Sequence, residues 1–175
     1  QIKSISNLVS METRNANVEG CREITIRDLI RTSLRMRPDR IIVGEVRGGE
    51  ALDMMQCLNT GHDGSMSTGH ANSSGDMLSR LETMILMGME LPLAAIRQQI
   101  AAGLDIIVHL GRLRDKSRKV LEIVEVEGVE GNEIKIRTLY AFEEEGEENG
   151  KVKGKLIKRG ELRNDSKLKT AGIMV

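Results

Sequence analysis

The stretch that most limits the fold is RPDRIIVGEVRGGEA, residues 37–51. An aliphatic run from Ile41 to Gly44 ends on a carboxylate at Glu45, and Gly48 and Gly49 then turn the chain. A buried strand that delivers one acid to its carboxyl end is a common device of phosphate-handling sheets, where the acid holds a metal-bound water or accepts a proton from an attacking water. The alternative is an ordinary acid at a strand-to-loop junction. A phosphate-handling sheet also requires a glycine-rich phosphate loop, so the rest of the chain has to be searched for one.

The surrounding segments alternate between helix and strand. EITIRDLIRTSLRMRPD reads as a helix entered through Thr25 and Asp28, a capping pair, with Ile26, Leu29, Ile30, Ser33 and Leu34 on one face. Pro38 bars its continuation, and the strand Arg40–Gly44 follows. EALDMMQCLNTG is a second helix with Ala51, Leu52, Met55 and Leu58 inward and Gly61 as its stop. A short strand is expected at Ser65–Thr68. A third helix follows, capped by Ser73 or Ser74, and a fourth runs from Pro92 to Gly103. DIIVHL, residues 105–110, reads as a buried strand. This order predicts an α/β sheet of largely parallel strands with flanking helices.

Beyond residue 117 the pattern changes. RKVLEIVEVEG and IKIRTLYAF alternate as strands around Gly131-Asn132, which predicts an antiparallel hairpin. EEEGEENGKVKGK has the composition of a solvated turn. The expected organisation is therefore a domain over residues 1–142 and a charged tail over residues 143–175. Residues 2–11 read as strand and loop with no start region, so the chain is expected to be a piece of something longer.

Composition narrows the function classes. A net charge of +0 and only Tyr140 and Phe142 as aromatics offer no surface for nucleic acid. The core has to be aliphatic, filled by some of the 10 methionines. Cys21 and Cys57 lack metal spacing and suit a reducing compartment. No apolar run approaches membrane-spanning length, and no signal-peptide pattern is present.

Two histidines frame the expected strand at Ser65–Thr68. His62 lies in TGHDGS and His70 in STGHANS, with Thr68, Asn72 and Ser73 around His70 and glycines at 61, 64 and 69. Imidazole and hydroxyls in such a cluster suit a sensor that contacts a terminal phosphate and moves when it leaves. Histidines satisfied by backbone carbonyls in a turn are the alternative, and a direct metal site lacks the spacing. Arginines at 27, 31, 35, 37, 40 and 47 could neutralise phosphate charge. Arg27 and Arg31 are better read as a solvated face paired with Glu23 and Asp28, whereas Arg47, beside Glu45, has the stronger claim to a site.

LRMRPDRIIVGEVRGGEALDMMQCLNTGHDGSMSTGHANS resembles the Walker B and histidine-box segments of the type II/IV secretion ATPase superfamily, most nearly the Flp/tad-type pilus assembly ATPases (CpaF-like). The likeness continues through LSRLETMILMGMELPLAAIRQQIAAGLDIIVHLGRLRDKSRKV and GKLIKRGELRNDSKLKTAGI. Ser74-Gly75 stands where that family often has proline and arginine. The resemblance implies that Glu45 is the Walker B acid and that His70, with His62, forms the histidine box. It further implies a RecA-like P-loop ATPase domain acting on ATP with Mg²⁺, which Glu45 would reach only through a bound water. A homo-hexameric ring is implied too, in the cytoplasm against an inner-membrane secretion or pilus platform, with no nucleic acid expected.

The phosphate loop itself is not in these residues. A Walker A sequence reads G-x-x-x-x-G-K-[ST], and the Gly-Lys pairs at 150–151 and 154–155 are followed by valine and leucine. The chain thus resembles the C-terminal part of a motor domain, with ATP hydrolysis for pilus assembly or protein secretion as the implied function and little activity expected from these residues alone. A non-catalytic module that packs in the ring and docks on the platform is the competing reading. A sheet without its phosphate-loop strand should leave apolar edges exposed.

Overall fold

The computed structural model describes residues 7–16 and 20–173. The expected strand and loop over residues 2–11 fall partly outside them, and residues 7–11 form no strand. Helix α1, Ile26–Arg35, opens with a reciprocal capping box. The Thr25 hydroxyl oxygen accepts the Asp28 amide at 3.2 Å, and the Asp28 carboxylate accepts the Thr25 amide at 3.0 Å. Two donors that the first helical turn leaves unpaired are thereby satisfied.

Strand β1, Ile42–Val43, leads into α2, Glu50–Leu58, and then β2, Met66–Ser67. The two strands pair in parallel, Ile42 with Met66 and Val43 with Ser67. Helices α3, Ser74–Gly88, and α4, Leu93–Gly103, follow. Val43, Ala51, Leu52, Met55, Leu78, Leu81, Ile85, Ile96 and Ile100 form one buried core. Where α2 meets the end of α3, only glycine fits. A Cβ on Gly88 would lie 2.6 Å from the Gly49 carbonyl oxygen, and one on Gly49 would lie 2.8 Å from the Gly88 Cα.

The arginine pairing differs from expectation. Arg27 and Arg31 reach not Glu23 or Asp28 but Asp53 on α2, at 2.6 and 3.1 Å. Asp53 occupies the buried side of α2, so its carboxylate needs cationic partners and draws both guanidinia across.

The larger sheet is antiparallel, which corrects the expectation of a largely parallel sheet with a single hairpin. Strands β3 (Ile106–Arg112), β4 (Arg118–Glu130), β5 (Glu133–Glu148) and β6 (Lys151–Lys158) pair in sequence order. Glu130 pairs with Glu133 across Gly131-Asn132, and Glu148 with Lys151 across Asn149-Gly150. Two-residue loops can join only antiparallel neighbours. Asn149 and Gly150 have φ of 52° and 71°, the left-handed pair that such a turn requires.

The segment expected as a solvated turn is therefore the β5–β6 hairpin, and the boundary expected at 142/143 falls inside β5. Its charges lie opposite one another. Lys155 pairs with Glu145 at 2.8 Å, Lys153 meets Glu148, and Arg159 meets Glu143. Strand β3 is not the buried strand expected either: Ile106, Val108 and Leu110 are exposed while Ile107 packs on the core. An edge strand with one covered face alternates in this way. The segment after β6 returns across the sheet, where the buried Glu125 carboxylate accepts the amides of Arg163 and Asn164 at 3.1 and 2.7 Å. Helix α5, Ser166–Thr170, ends the described chain.

Candidate active site

Parallel pairing of β1 and β2 puts their carboxyl ends on one rim, the side of an α/β sheet where ligands bind. Glu45 leaves that rim two residues after β1, and His70 three residues after β2. His70 Nε2 lies 2.9 Å from Glu45 Oε1. On the other carboxylate oxygen, Arg47 Nη2 lies 2.5 Å from Oε2. The three side chains thus form one cluster, with His70 beside one carboxylate oxygen and Arg47 beside the other.

Backbone bonds hold this rim in register. Val46 donates its amide to the Thr68 carbonyl at 3.1 Å, and the Thr68 hydroxyl donates to the Gly44 carbonyl. Thr68 therefore bonds on both sides of Glu45 and ties the first strand's exit to the second's. Val46 is buried, so the residues on either side of it, Glu45 and Arg47, turn outward. Glu50, the first residue of α2, accepts the amides of Arg47 and Gly48 at 2.7 and 3.1 Å. Burial raises the Glu50 carboxyl, but those amides with the Arg27 charge outweigh it and hold the group below its ordinary value.

Pairing with Arg47 is the main cause that holds the Glu45 carboxyl below its ordinary value; partial burial opposes it, and the Arg47 and His70 charges add to it. Arg47 is raised in return. Glu45 Oε1 is shielded from solvent, and the His70 approach to it lacks hydrogen-bond alignment. One oxygen of the carboxylate therefore keeps spare accepting capacity. His70 itself is 81% exposed, beside an open groove that Asn72, Asp76 and Arg80 also line.

His62 is not brought to this cluster. It precedes β2, so it lies toward the amino end of the small sheet, where its Nδ1 is 3.2 Å from the Cys57 carbonyl and 3.3 Å from the Thr60 hydroxyl. The reading of a histidine satisfied by a turn carbonyl describes it. Parallel strand pairing separates the two histidines even though both flank β2. Among the described residues, no group of three or more His, Cys, Asp or Glu could hold a metal ion.

Sequence reasoning missed Glu50, which holds the turn after Glu45, and the bond of Glu122 to the first turn of α3. Glu50 had a local signal, an acid at the first position of a helix after a glycine pair. Glu122, whose carboxylate accepts the Ser74 amide at 3.1 Å, had none, because 48 residues separate the two.

Comparison with known proteins covers this region. Residues 8–155 match the family described as type II/IV secretion system protein. A protein of Mycobacterium tuberculosis (strain H37Rv) named for conjugal transfer is 46% identical over 125 residues, covering 71% of this chain and 35% of its own length. The conjugal transfer protein TrbB of Rhizobium radiobacter is 34% identical over 139 residues, 79% of this chain and 40% of that protein. The crystal structure of the VirB11 ATPase from the Brucella suis type IV secretion system, in complex with sulphate, aligns with a TM-score of 0.55 at 36% identity, covering 58% of this chain and 32% of that one. The chain thus spans about a third of the length of these relatives.

Proposed function

The chain belongs to the type II/IV secretion system protein family, and on that premise we propose that it carries the acid-and-imidazole half of the hydrolytic site of an ATP-driven secretion motor. The observation that supports this most is the contact between Glu45 and His70 at the carboxyl rim of two parallel strands. The donor set fits a nucleotide. It offers a carboxylate with one spare acceptor site, an imidazole open to solvent, and a guanidinium beside them.

ATP with Mg²⁺, when bound, supplies a terminal phosphate made electrophilic by the metal's charge. Glu45, kept ionised by Arg47, accepts the proton of an attacking water. The exposed His70 donates toward a phosphate oxygen and exchanges that contact with the one to Glu45 as the phosphate comes and goes. Arg47 is placed to move from Glu45 to an anion. The Thr68 hydroxyl, already given to Gly44, acts by holding the rim. His62, at the other end of the strands, has no part in this reading.

By its resemblance we infer a CpaF-like motor for pilus assembly or protein secretion, working as a homo-hexamer in the cytoplasm against an inner-membrane platform. No helix among the described residues is long and apolar enough to cross a membrane. The relatives named for conjugal transfer favour a second reading, a motor of a conjugation or type IV secretion apparatus. A non-catalytic ring-packing and platform-docking module is the alternative to both. The phosphate loop would come from residues outside these 175.

The test is hydrolysis by the full-length protein. Glu45→Gln should retain nucleotide binding and lose turnover by about 100-fold or more, and His70→Ala should impair turnover. Near wild-type hydrolysis by Glu45→Gln would remove Glu45 from the mechanism. Loss of pili rather than of DNA transfer in a strain carrying Glu45→Gln would choose the pilus motor.

A further inference from the structure

We propose that Glu122, on the four-stranded sheet, is a positioning residue that holds the far end of the His70 loop. The proposal rests on reading Glu45 and His70 as partners at a phosphate site. The loop runs between β2 and α3. Its near end is fixed by Thr68, which bonds to Gly44 and Val46. Its far end is the first turn of α3, whose leading amides have no partner within the helix.

Two of those amides have side-chain partners. The Ser73 hydroxyl oxygen accepts the Asp76 amide at 3.0 Å, while the Met77 amide makes the helix's first internal bond, to the Ser73 carbonyl at 3.0 Å. The Ser74 amide, on a residue only 1% exposed, goes to Glu122 Oε1 at 3.1 Å. A carboxylate at a helix N-terminus makes a charge-assisted bond along the favourable direction of the helix dipole. Glu122 faces His109 in the strand register, but His109 Nδ1 stands 3.8 Å away, beyond hydrogen-bond distance. The carboxylate's principal bond is therefore to the helix.

His70 is 81% exposed, and its side-chain contact is the one to Glu45. Its position depends on its loop being tethered at both ends. Releasing Ser74 would leave the far end of Gly69–Ser73 held only through the Ser73 cap on α3, and the imidazole would gain freedom to leave Glu45. Glu122 thus transmits the placement of the four-stranded sheet to the catalytic rim.

The test is solution NMR of the 175-residue chain without nucleotide, reading the His70 ring resonances and hydrogen exchange at the Ser74 amide. Glu122→Ala should shift the His70 ring resonances and speed Ser74 exchange by about tenfold or more, as loss of a charge-assisted bond implies. Glu122→Gln, which keeps an acceptor, should restore much of both. Ser74→Pro removes the donor without touching the carboxylate, at a first helical position that accepts proline and after a residue already extended, φ −153° and ψ 169°. It should shift His70 as Glu122→Ala does, and it serves if the alanine variant fails to fold. Unmoved His70 resonances in Glu122→Ala or Ser74→Pro would overturn the proposal. So would His109→Gln reproducing the shift, which would confine Glu122 to the sheet. These readings involve no hydrolysis, so their failure is separate from persistence of ATPase activity in Glu45→Gln.

Discussion

Glu45 Oε1 and His70 Nε2 lie 2.9 Å apart although α2, β2 and the loops around them separate the two along the chain. The contact is a product of register. With Ile42 opposite Met66 and Val43 opposite Ser67, two exits of nearly equal length bring a carboxylate and an imidazole to one point. A slip of one residue would turn either side chain to the other face.

The ion pair with Arg47 should be measurable directly. Arg47→Ala should let the Glu45 carboxyl rise toward its ordinary value of 4.5, because the pairing with Arg47 is the main cause that lowers it. A lowered carboxyl stabilises the fold above its ordinary titration range and loses that contribution as pH falls. The variant should therefore show a shallower loss below that range. Carboxyl ¹³C titration checks it, and an unmoved Glu45 would mean that the pair does not form in solution.

Nucleotide affinity of the 175-residue chain by itself should be weak. Backbone amides and the lysine of a phosphate loop supply most of the field that binds a triphosphate, and the acid-and-imidazole rim carries none of those groups. Calorimetry with Mg·ATP should detect no micromolar binding. Finding it would locate the phosphate cradle within these residues.

Asp53 should matter more than either arginine it holds. Its side chain is 6% exposed, against 35% for Arg27 and 65% for Arg31. Asp53→Ala should cost about 1–2 kcal/mol, because it removes two charge-assisted hydrogen bonds at once while the freed guanidinia can turn to solvent, while Arg31→Ala should cost about 0.5 kcal/mol. Urea unfolding of both variants checks the order. Arg27 also donates to the Gly49 carbonyl at 3.1 Å, so Asp53→Ala should loosen the turn that follows Glu45.

Asp115 predicts an acid-sensitive seam in the antiparallel sheet. The Ser117 hydroxyl and amide, and then the Val152 amide, lower its carboxyl from 3.8 to about 2. Its contribution is complete above the ordinary value and disappears as pH falls through the folded one. Stability should therefore decline between about pH 4 and pH 2, and Asp115→Asn should flatten that decline. Thermal unfolding across this range measures it. An unchanged slope in the variant would remove Asp115 as the cause.

What the amino-acid order determined by itself was local. The Thr25–Asp28 cap and the hairpin at Gly131-Asn132 each follow from forces acting over a few residues, so each could be read, whereas α2 ends at Leu58, ahead of the stop expected at Gly61. The turn at Asn149-Gly150 was legible as well, but the flanking charge block hid the two strands it joins. Charge argues against a strand only while its partner strand is unknown; opposite Lys153 and Lys155, the glutamates of β5 are neutralised. Tertiary structure alone decided that Asp53 would take Arg27 and Arg31, that His62 and His70 would lie at opposite ends of one short strand, and that Glu122 would reach Ser74. Those outcomes depend on which distant groups desolvate one another and on strand register, energies that exist only once the chain has packed.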